Sequence, residues 1–281
     1  MLFSQSMKTI SVVISVYRKV RELEVLLTAL KKQSYLNFDV IIADDGSGKP
    51  VHDFIDEFRK DCNYGITFLT QEDIGFRKNK ILNEAIRTSN CQYLIFLDGD
   101  CIPHKDFVKA HAENSEENTL LVGRRVHLSE DLTKRINKDF ILSGGFNGLS
   151  FRALVNSFKF KNSSTTSEEG IIIKNKLLRS MLRRGNNHLV GCNFSVPKDL
   201  LIKINGFDEN YTGAGIGEDS DIEYRLSLLN VKFKSVRNLA VVFHMYHQKT
   251  KENNTNFDYF HNNVKTKNVF FCENGIVKPS Q

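Results

Sequence analysis

Acidic clusters in the sequence have the residue types and spacing that metal-assisted or acid–base chemistry needs. Asp98-Gly99-Asp100 follows the most apolar stretch of the chain, and its two carboxylates repel one another unless a cation lies between them. Hard carboxylate oxygens suit Mg²⁺ or Mn²⁺, with the diphosphate of a ligand completing the coordination shell. A plain turn is the alternative explanation of this pair, because Asp and Gly are common turn residues.

Two further acidic clusters lie at the predicted ends of secondary-structure elements. Asp44-Asp45 ends a second apolar stretch, where a carboxylate can accept the N–H of a base such as uracil or simply close a turn. Glu218 and Asp219 follow the Gly-rich segment 213–217, which lets a substrate approach the backbone, and a carboxylate there could serve as a general base. Helix capping is the alternative, since acids are favoured in the first turn of a helix.

Imidazole groups follow the last apolar stretch of the sequence. His244 and His247 come directly after Leu239–Phe243. A histidine at a strand end is usually a surface residue, and neutral imidazole is also a metal ligand. The pair becomes a candidate metal site only in combination with Asp98 and Asp100.

The first hundred residues predict the elements that position these groups. Apolar β-branched stretches alternate with segments whose apolar residues recur at helical spacing, which predicts an α/β fold with a parallel, doubly wound sheet. In such sheets ligands bind at the carboxyl ends of the strands, where the acidic clusters lie. The predicted strands are Thr9–Tyr17, Phe38–Ala43, Gly65–Leu69 and Cys91–Leu97, and the predicted helices are Val20–Lys32, Val51–Lys60 and Phe76–Thr88.

The rest of the sequence is less regular and predicts an organisation in four parts. Residues 1–126 form a nucleotide-binding α/β half, 127–187 a basic helical insertion, 188–249 a second half of the same domain, and 250–281 a tail. After Pro103 the patterns predict a strand over Thr119–Val126, helices over His104–Asn114, Pro197–Ile204 and Glu218–Leu229, and one or two strands within Val231–Val242.

Two segments of this later part invite specific interpretations. Ile171–Arg184 predicts an amphipathic basic helix, which either lies on an anionic membrane or belongs to an acceptor-binding part with its basic face in solvent. Thr250–Asn263 is polar and rich in Asn, which predicts a flexible or late-ordering tail.

Composition and charge limit the class of protein. With 281 residues, 41% hydrophobic residues and a net charge of +6, the chain is neither collagen-like, coiled-coil nor disordered. Apolar runs such as Val12–Val16 are too short to cross a membrane, and the N-terminus lacks an apolar signal region. Five scattered cysteines fit a reducing cytosol, so we expect a cytoplasmic protein, with peripheral contact at the inner face of the cell membrane left open. The basic residues are not interleaved with an aromatic platform, which argues against nucleic acid as a partner.

Several sequence blocks in this order together resemble family 2 inverting glycosyltransferases of the GT-A fold. The branch with chondroitin-type polymerases and β-1,4-galactosyltransferases is the most similar. The resemblance implies a Rossmann-like, mostly parallel sheet flanked by helices, with a smaller acceptor-binding part. It also implies Mn²⁺- or Mg²⁺-dependent transfer of a hexose or N-acetylhexosamine from a UDP-sugar donor to a glycan or lipid-linked saccharide acceptor. The blocks are SVVISVYRKVRELEVLLTALKKQS, FDVIIADDGS, IGFRKNKILNEAI, YLIFLDGDCIPHKDFV, VGCNFSVPKDLLIKINGFDENYTGAGIGEDSDIEYRL and VVFHMYHQ.

The resemblance also implies roles for individual residues. On the donor side it implies a nucleotide pocket lined by Ser15, Tyr17 and Arg18, in which Asp45, with Asp44 beside it, holds uracil. Phe76 and Arg77 would contact the base and the diphosphate, and Asp98 would lie near the ribose. Lys80 and Asn83 would match the basic and Asn positions of the family's third-helix motif. For the metal it implies Asp100 and His247, with His244 at a position that also coordinates in some relatives, and for catalysis Asp219 as base with Glu218 as its acceptor-binding neighbour.

This sequence departs from the family pattern at named positions. Ser15 replaces a proline, Leu82 replaces an arginine so that diphosphate contact falls to Arg77, Lys78 or Lys80, and the Gly-rich loop lacks a tryptophan. Two alternatives stay open. A sugar nucleotidyltransferase would show a Gly-rich phosphate loop after the first strand, which this sequence lacks. A non-catalytic subunit that binds a nucleotide sugar within a polysaccharide assembly is the other.

Overall fold

The computed structural model describes residues 9–158, 163–181, 188–213, 218–248 and 254–278. Helices pack on both faces of a mixed sheet, and a second, smaller sheet lies beside its carboxyl edge. The strands are β1 Ile10–Val16, β2 Phe38–Asp44, β3 Ile66–Thr70, β4 Tyr93–Asp98, β5 Cys101–Pro103, β6 Thr119–Val122, β7 Arg124–His127, β8 Phe194–Pro197, β9 Lys232–Ser235 and β10 Val241–His244. The helices are α1 Val20–Leu30, α2 Lys49–Phe58, α3 Lys78–Thr88, α4 Phe107–Asn114, α5 Glu130–Arg135, α6 Lys138–Leu142, α7 Leu149–Ser157, α8 Lys176–Met181, α9 Lys198–Lys203, α10 Glu218–Leu228, α11 Asn254–Tyr259 and α12 Lys265–Lys267.

The main sheet has the strand order β3-β2-β1-β4-β8-β6-β9. Strands β3, β2, β1 and β4 are parallel, β8 is antiparallel to both β4 and β6, and β9 is parallel to β6. In the register of β1, Val16 lies opposite Asp44 and Ser15 lies opposite Asp98. The carboxylates that end β2 and β4 therefore lie at one edge of the sheet, as the strand and helix alternation predicts.

Buried side chains alternate between the two faces of β1 because successive residues of a strand point to opposite sides. Ile10, Val12 and Ile14 pack with the apolar sides of α1 and α2, whereas Val13 belongs to the layer that holds α3 and α9. Both faces of the sheet are thus covered, which explains why β1 is apolar along nearly its whole length.

The second sheet has the order β5-β10-β7 and carries part of the candidate site. Its central strand β10 is antiparallel to β5 and parallel to β7, and His244 lies opposite both Cys101 and His127. Because Cys101 directly follows Asp100 in the chain, this pairing brings His244 next to Asp100.

The single strand predicted over Thr119–Val126 is instead two strands in two sheets, β6 and β7. The break falls at Gly123, whose N–H donates to the backbone oxygen of Asn193 at 2.8 Å. A Cβ atom at Gly123 would lie only 2.2 Å from Asn193 Cγ, so the crossing needs glycine. The segment Val231–Val242 divides in the same way, with β9 in the main sheet and β10 in the second.

Two sequence predictions for the later part are wrong. The helix predicted over Ile171–Arg184 is limited in the described residues to α8, and residues 182–184 lie outside them. The flexible or late-ordering tail predicted over Thr250–Asn263 is helical from Asn254 and continues as a π-helical turn over Phe260–Val264, while residues 250–253 lie outside the described residues. Apolar side chains spaced among the asparagines explain this, because Phe260 and Val264 are buried against Tyr211.

No helix within the described ranges is long and apolar enough to span a bilayer.

The division into four parts stays a prediction, although strands from residues 1–126 and 188–249 share both sheets.

Candidate active site

A carboxylate, Asp100, meets two imidazoles where the second sheet joins the end of β4. The Nε2 atom of His244 lies 3.5 Å from one carboxylate oxygen of Asp100, and the Nε2 atom of His247 lies 3.3 Å from the other. The ammonium of Lys19 lies 2.6 Å from the oxygen that faces His247. Burial lowers the pKa of His244, although Asp100 opposes the shift, so this imidazole is kept in the neutral form that binds metals. The donor set fits a divalent cation such as Mn²⁺.

Lys78 connects the end of β4 to the start of α10. Its Nζ atom lies 3.1 Å from Asp98 and 3.1 Å from Glu218, and Asp98 also accepts the hydroxyl of Ser15 at 2.7 Å. Burial acts to raise the pKa of Asp98, but the charge of Lys78 and the hydrogen bonds outweigh it and lower this pKa to about 2. Burial also acts to lower the pKa of Lys78, and the surrounding carboxylates raise it well above its ordinary value. Both groups are therefore charged at neutral pH.

Glu218 and Asp219 begin α10 and line the same pocket as Lys78 and Asp98. Burial raises the pKa of Glu218 while Lys78 opposes the shift. The second oxygen of Glu218, Oε2, is buried without a hydrogen-bond partner among the described residues, which exclude residues 214–217 directly before it. Asp219 accepts the N–H of Gly191 at 2.9 Å. The pocket thus holds a carboxylate oxygen for which the described residues supply no hydrogen-bond donor.

A buried ion pair fixes the start of α10. Arg225 pairs with Asp221 one helical turn before it, and both side chains are almost inaccessible to solvent. Arg225 also donates to the backbone oxygens of Ile204 and Gly206, at 2.6 and 2.8 Å. Removing one partner of such a pair leaves a buried charge uncompensated, so the arrangement resists displacement. Glu218 and Asp219 consequently lie in the first turn of a helix that Arg225 ties to the segment after α9.

The carboxylates after β2 differ in what they contact. Asp44 is fully buried and accepts the backbone N–H of Ser47, so it closes the turn after β2. This placement corrects the expectation that Asp44 contacts a ligand. Asp45 accepts the N–H of Arg77 at 2.9 Å and the amide of Gln71 at 2.5 Å. Burial raises the pKa of Asp45, and these hydrogen bonds oppose the shift.

The loop after β1 presents exposed side chains beside this turn. The guanidinium of Arg18 lies 4.7 Å from the ring centroid of Tyr17 and pairs with Asp73 at 2.5 Å. Asp73 also accepts the hydroxyl of Tyr17 at 3.3 Å. Phe76, three residues after Asp73, is half-buried. These groups form one exposed wall near Asp45.

Two candidate residues of α3 are not part of this arrangement. The side-chain amide of Asn83 donates to the backbone oxygen of Phe207 at 2.8 Å and accepts the N–H of the same residue at 2.8 Å. Asn83 is therefore a buried link between α3 and the segment after α9, which corrects its expected place in the nucleotide pocket. Lys80 is exposed, and Lys78 is the α3 lysine that lines the pocket.

Sequence reasoning missed Lys19, Gln71 and Asp73 as members of the site. Each contacts a residue that was singled out, namely Asp100, Asp45 and Arg18. No motif marks these positions. The available signal was their place in loops that follow β1 and β3, at the edge where the acidic clusters lie.

The chain matches known protein families along most of its length. The model of glycosyl transferase family 2 matches residues 11–204. The chain belongs to glycosyl transferase family 2. A second model, described as the N-terminal domain of galactosyltransferase, matches residues 174–248, which include α10 and the histidines. The predicted family is confirmed, and this family 2 member is a glycosyltransferase.

Bacterial polysaccharide synthases are among the relatives of this family 2 glycosyltransferase. A chondroitin synthase of Escherichia coli is 27% identical over 88% of this chain and 36% of its own length. A hyaluronan synthase of Pasteurella multocida is 26% identical over 88% of this chain and 25% of its own length. The chain thus spans about a quarter to a third of these relatives.

Solved structures confirm the GT-A fold. S. aureus TarS in complex with UDP-GlcNAc aligns with a TM-score of 0.56 and 16% identity over 86% of this chain and 60% of that one. A mannosyltransferase from Pyrobaculum calidifontis in complex with GDP-Man and Mn²⁺ aligns with a TM-score of 0.56 and 13% identity, covering 94% of this chain and 64% of that one. At these identities the likeness concerns the fold alone.

Proposed function

We propose that this glycosyltransferase moves a hexose or N-acetylhexosamine from a UDP-sugar to a hydroxyl of a glycan or lipid-linked saccharide, with inversion at the anomeric carbon. The observation that carries the proposal is the position of Lys78, which holds Asp98 at the end of β4 and Glu218 at the start of α10 at 3.1 Å each. Donor and acceptor groups thus share one pocket with Asp219. Relatives that are glycan synthases and neighbours solved with UDP-GlcNAc support the same class of substrates.

The proposed donor site lies along the edge formed by β1, β2 and β4. Asp45 exchanges its hydrogen bond from Gln71 for the N–H of uracil, and the wall with Tyr17, Arg18 and Phe76 covers the base. Arg77 is directed to the base and diphosphate, and Asp98 to the ribose. Asp98 is suited to this because Ser15 and Lys78 keep it ionised, and an ionised carboxylate accepts hydroxyl hydrogen bonds well.

Asp100, His244 and His247 would hold the divalent cation, Mn²⁺ or Mg²⁺. Their oxygen and nitrogen atoms already converge, and the ligand atoms of Asp100, Cys101 and His244 lie within 4.8 Å of one another. When bound there, such a cation supplies positive charge against the charge that grows on UDP as the glycosidic bond breaks. Strand β10, which ends at His244, and the turn Asp98–Asp100 together keep these ligands in place.

Asp219 is proposed as the general base. Its carboxylate takes the proton of the acceptor hydroxyl while that oxygen forms a bond to the anomeric carbon, and the bond from this carbon to the diphosphate oxygen breaks to release UDP. The N–H of Gly191 holds the carboxylate in position. Glu218 orients the acceptor through its buried Oε2, which has no hydrogen-bond partner in the part of the chain that the structure describes and can accept a second hydroxyl hydrogen bond.

The proposed activity is tested by incubating the protein with UDP-glucose, UDP-galactose and their N-acetyl counterparts, with Mn²⁺ or with EDTA. We expect Mn²⁺-dependent release of UDP from one or two of these donors, because water can slowly take the place of the acceptor hydroxyl and hydrolyse the donor. Binding of a donor without UDP release, even with added oligosaccharides, would favour the alternative of a non-catalytic subunit.

The five free cysteines support a cytoplasmic place of action as part of this proposal.

Lys19 is expected to compete with the cation for Asp100. Its ammonium lies 2.6 Å from a carboxylate oxygen that the proposed metal site uses. Lys19→Met should therefore bind Mn²⁺ about 2- to 5-fold more tightly without nucleotide, the scale of a partly exposed ion pair. Electron paramagnetic resonance of free Mn²⁺ measures this directly, with Lys31→Met, which removes a pair with Asp61 elsewhere, as the matched control. Weaker Mn²⁺ binding by Lys19→Met would contradict the placement of the cation on Asp100.

A further inference from the structure

Helix α7 carries an apolar stripe that faces away from the protein. Phe151 and Val155 within this helix and Phe158 directly after it are 70%, 51% and 77% exposed. Their spacing of four and three residues places them on one side of the helix. The opposite side packs inward through Leu149 and Ala153, which are fully buried. Large apolar side chains clustered on an exposed helix face mark an interaction surface.

Helix α8 adds a second exposed apolar group. Leu177 and Met181 are 76% and 83% exposed, Leu178 is 48% exposed, and α8 buries none of its side chains. A helix with a solvated basic face would bury its apolar face against the protein. The structure of α8 therefore favours the other interpretation of its amphipathic pattern, in which the apolar side meets a separate hydrophobic phase.

The charges around both helices select an anionic surface. Between residues 140 and 198 the acidic residues are Glu168 and Glu169, and Glu169 is engaged by Arg237 at 2.6 Å. Apolar residues interleaved with cations and almost free of carboxylates are typical of helices that lie at the interface of an anionic bilayer. The basic residues that the structure describes on or directly beside the two helices are Arg152, Lys174, Lys176 and Arg179.

We propose that α7 and α8 form a docking surface for a membrane containing anionic lipids. The surface is coupled to the candidate site, because the turn Ser167–Gly170 lies between the two helices in sequence and packs on α7 through a hydrogen bond from Ser167 to Ala153 of 3.1 Å. A Cβ atom at Gly170 would lie 3.4 Å from Phe243, the residue before His244. Docking thus holds the active site at the lipid surface. This inference deepens the proposed function, since a lipid-linked saccharide presents its hydroxyl at that surface.

Flotation with lipid vesicles tests the proposal on the full chain. We expect the protein to float with vesicles of phosphatidylcholine and phosphatidylglycerol, less so as salt increases, and to stay behind with phosphatidylcholine alone. The double variants Phe151→Ser/Phe158→Ser and Leu177→Ser/Met181→Ser should each reduce binding at least ~10-fold, as expected from the loss of two membrane-inserted apolar side chains. Leu36→Ser, which removes an apolar side chain 71% exposed between α1 and β2, should bind as the wild type does.

The outcomes separate this inference from the proposed function. UDP release from the donor should be the same in all these variants, because none of the substituted residues lies in the catalytic pocket. Absence of flotation with anionic vesicles, or equal flotation of the wild type and both double variants, would overturn the docking surface while leaving the transferase proposal intact. A concentration-dependent dimer that the same substitutions dissociate would overturn it too, since a second copy would then cover the stripe.

Discussion

Asp219→Asn is expected to lose ~10²- to 10⁴-fold in the rate of sugar transfer, the usual contribution of a general base. The carboxamide keeps the size and one acceptor oxygen of the side chain, so the hydrogen bond from Gly191 can persist. It has no basic oxygen that takes a proton near neutral pH. Donor affinity should change little, because Asp219 lies on the acceptor side of Lys78 and contacts neither Asp98 nor Asp100.

Two companion measurements make this prediction specific. Isothermal titration with UDP and Mn²⁺ should give the same affinity for Asp219→Asn and the wild type. Asp199→Asn, which alters an exposed acid paired with Lys203, is the matched control and should transfer sugar at the normal rate. Glu218→Gln should chiefly raise KM for the acceptor. Transfer by Asp219→Asn at the rate of the wild type would refute its assignment as the base.

Asp100→Asn is expected to weaken Mn²⁺ binding by ~10- to 100-fold or more. Loss of a group that only supports a metal ligand already costs that much affinity, and Asp100 is proposed as a ligand itself. The substitution removes the negative charge between His244 and His247, and a neutral carboxamide binds a hard cation more weakly than a carboxylate does. UDP should then bind with nearly equal affinity in Mn²⁺ and in EDTA. Lys19 loses its partner in this variant, but it is partly exposed and can be solvated.

The control for Asp100→Asn is Asp53→Asn, which alters an exposed acid paired with Lys49. It should bind Mn²⁺ and UDP as the wild type does. Thermal unfolding of each variant separates loss of the cation from loss of the fold. If Asp100→Asn keeps the Mn²⁺ affinity of the wild type in a folded state, the cation does not depend on this carboxylate.

The sequence was sufficient to predict the parallel strands of the first hundred residues, where the local hydrophobic pattern and the burial in the fold agree. The apolar stretches that became β1 and β4 are buried on both faces, so continuous hydrophobicity identified them, and the acids after β2 and β4 marked their carboxyl ends. The break at Gly123 could not be predicted in this way. It depends on close contact with Asn193, and such a contact has no local signature.

The candidate site was predicted where residues act at strand and helix ends, and less well where they act through long side chains. Asp100 and the two histidines lie together as the motif order suggested, whereas Asp98 pairs with Lys78 and Ser15. Lys78 and Lys19 reach their carboxylates only through flexible side chains of the residues beside each motif, so spacing alone does not single them out. Asn83 shows the reverse case, since its position in a motif did not reveal that it bonds Phe207 inside the protein.

The C-terminal segment was misjudged because composition hid its apolar spacing. Asparagines and charges dominate residues 250–263, yet Phe260 and Val264 recur at a helical interval and find Tyr211 as a partner far away in sequence. Asn256 also donates to the backbone oxygen of Gly213, the first residue of the Gly-rich segment, at 2.6 Å. The segment therefore supports the region that leads to Glu218 rather than trailing from the fold.

The configuration of the sugar first released from a UDP-α-sugar tests the central claim most directly. If Asp219 activates the attacking oxygen on the face opposite the diphosphate, proton NMR should show the β anomer first when water is the acceptor, before mutarotation mixes the anomers. The same signal should vanish in Asp219→Asn. Initial appearance of the α anomer would contradict a single displacement assisted by this carboxylate.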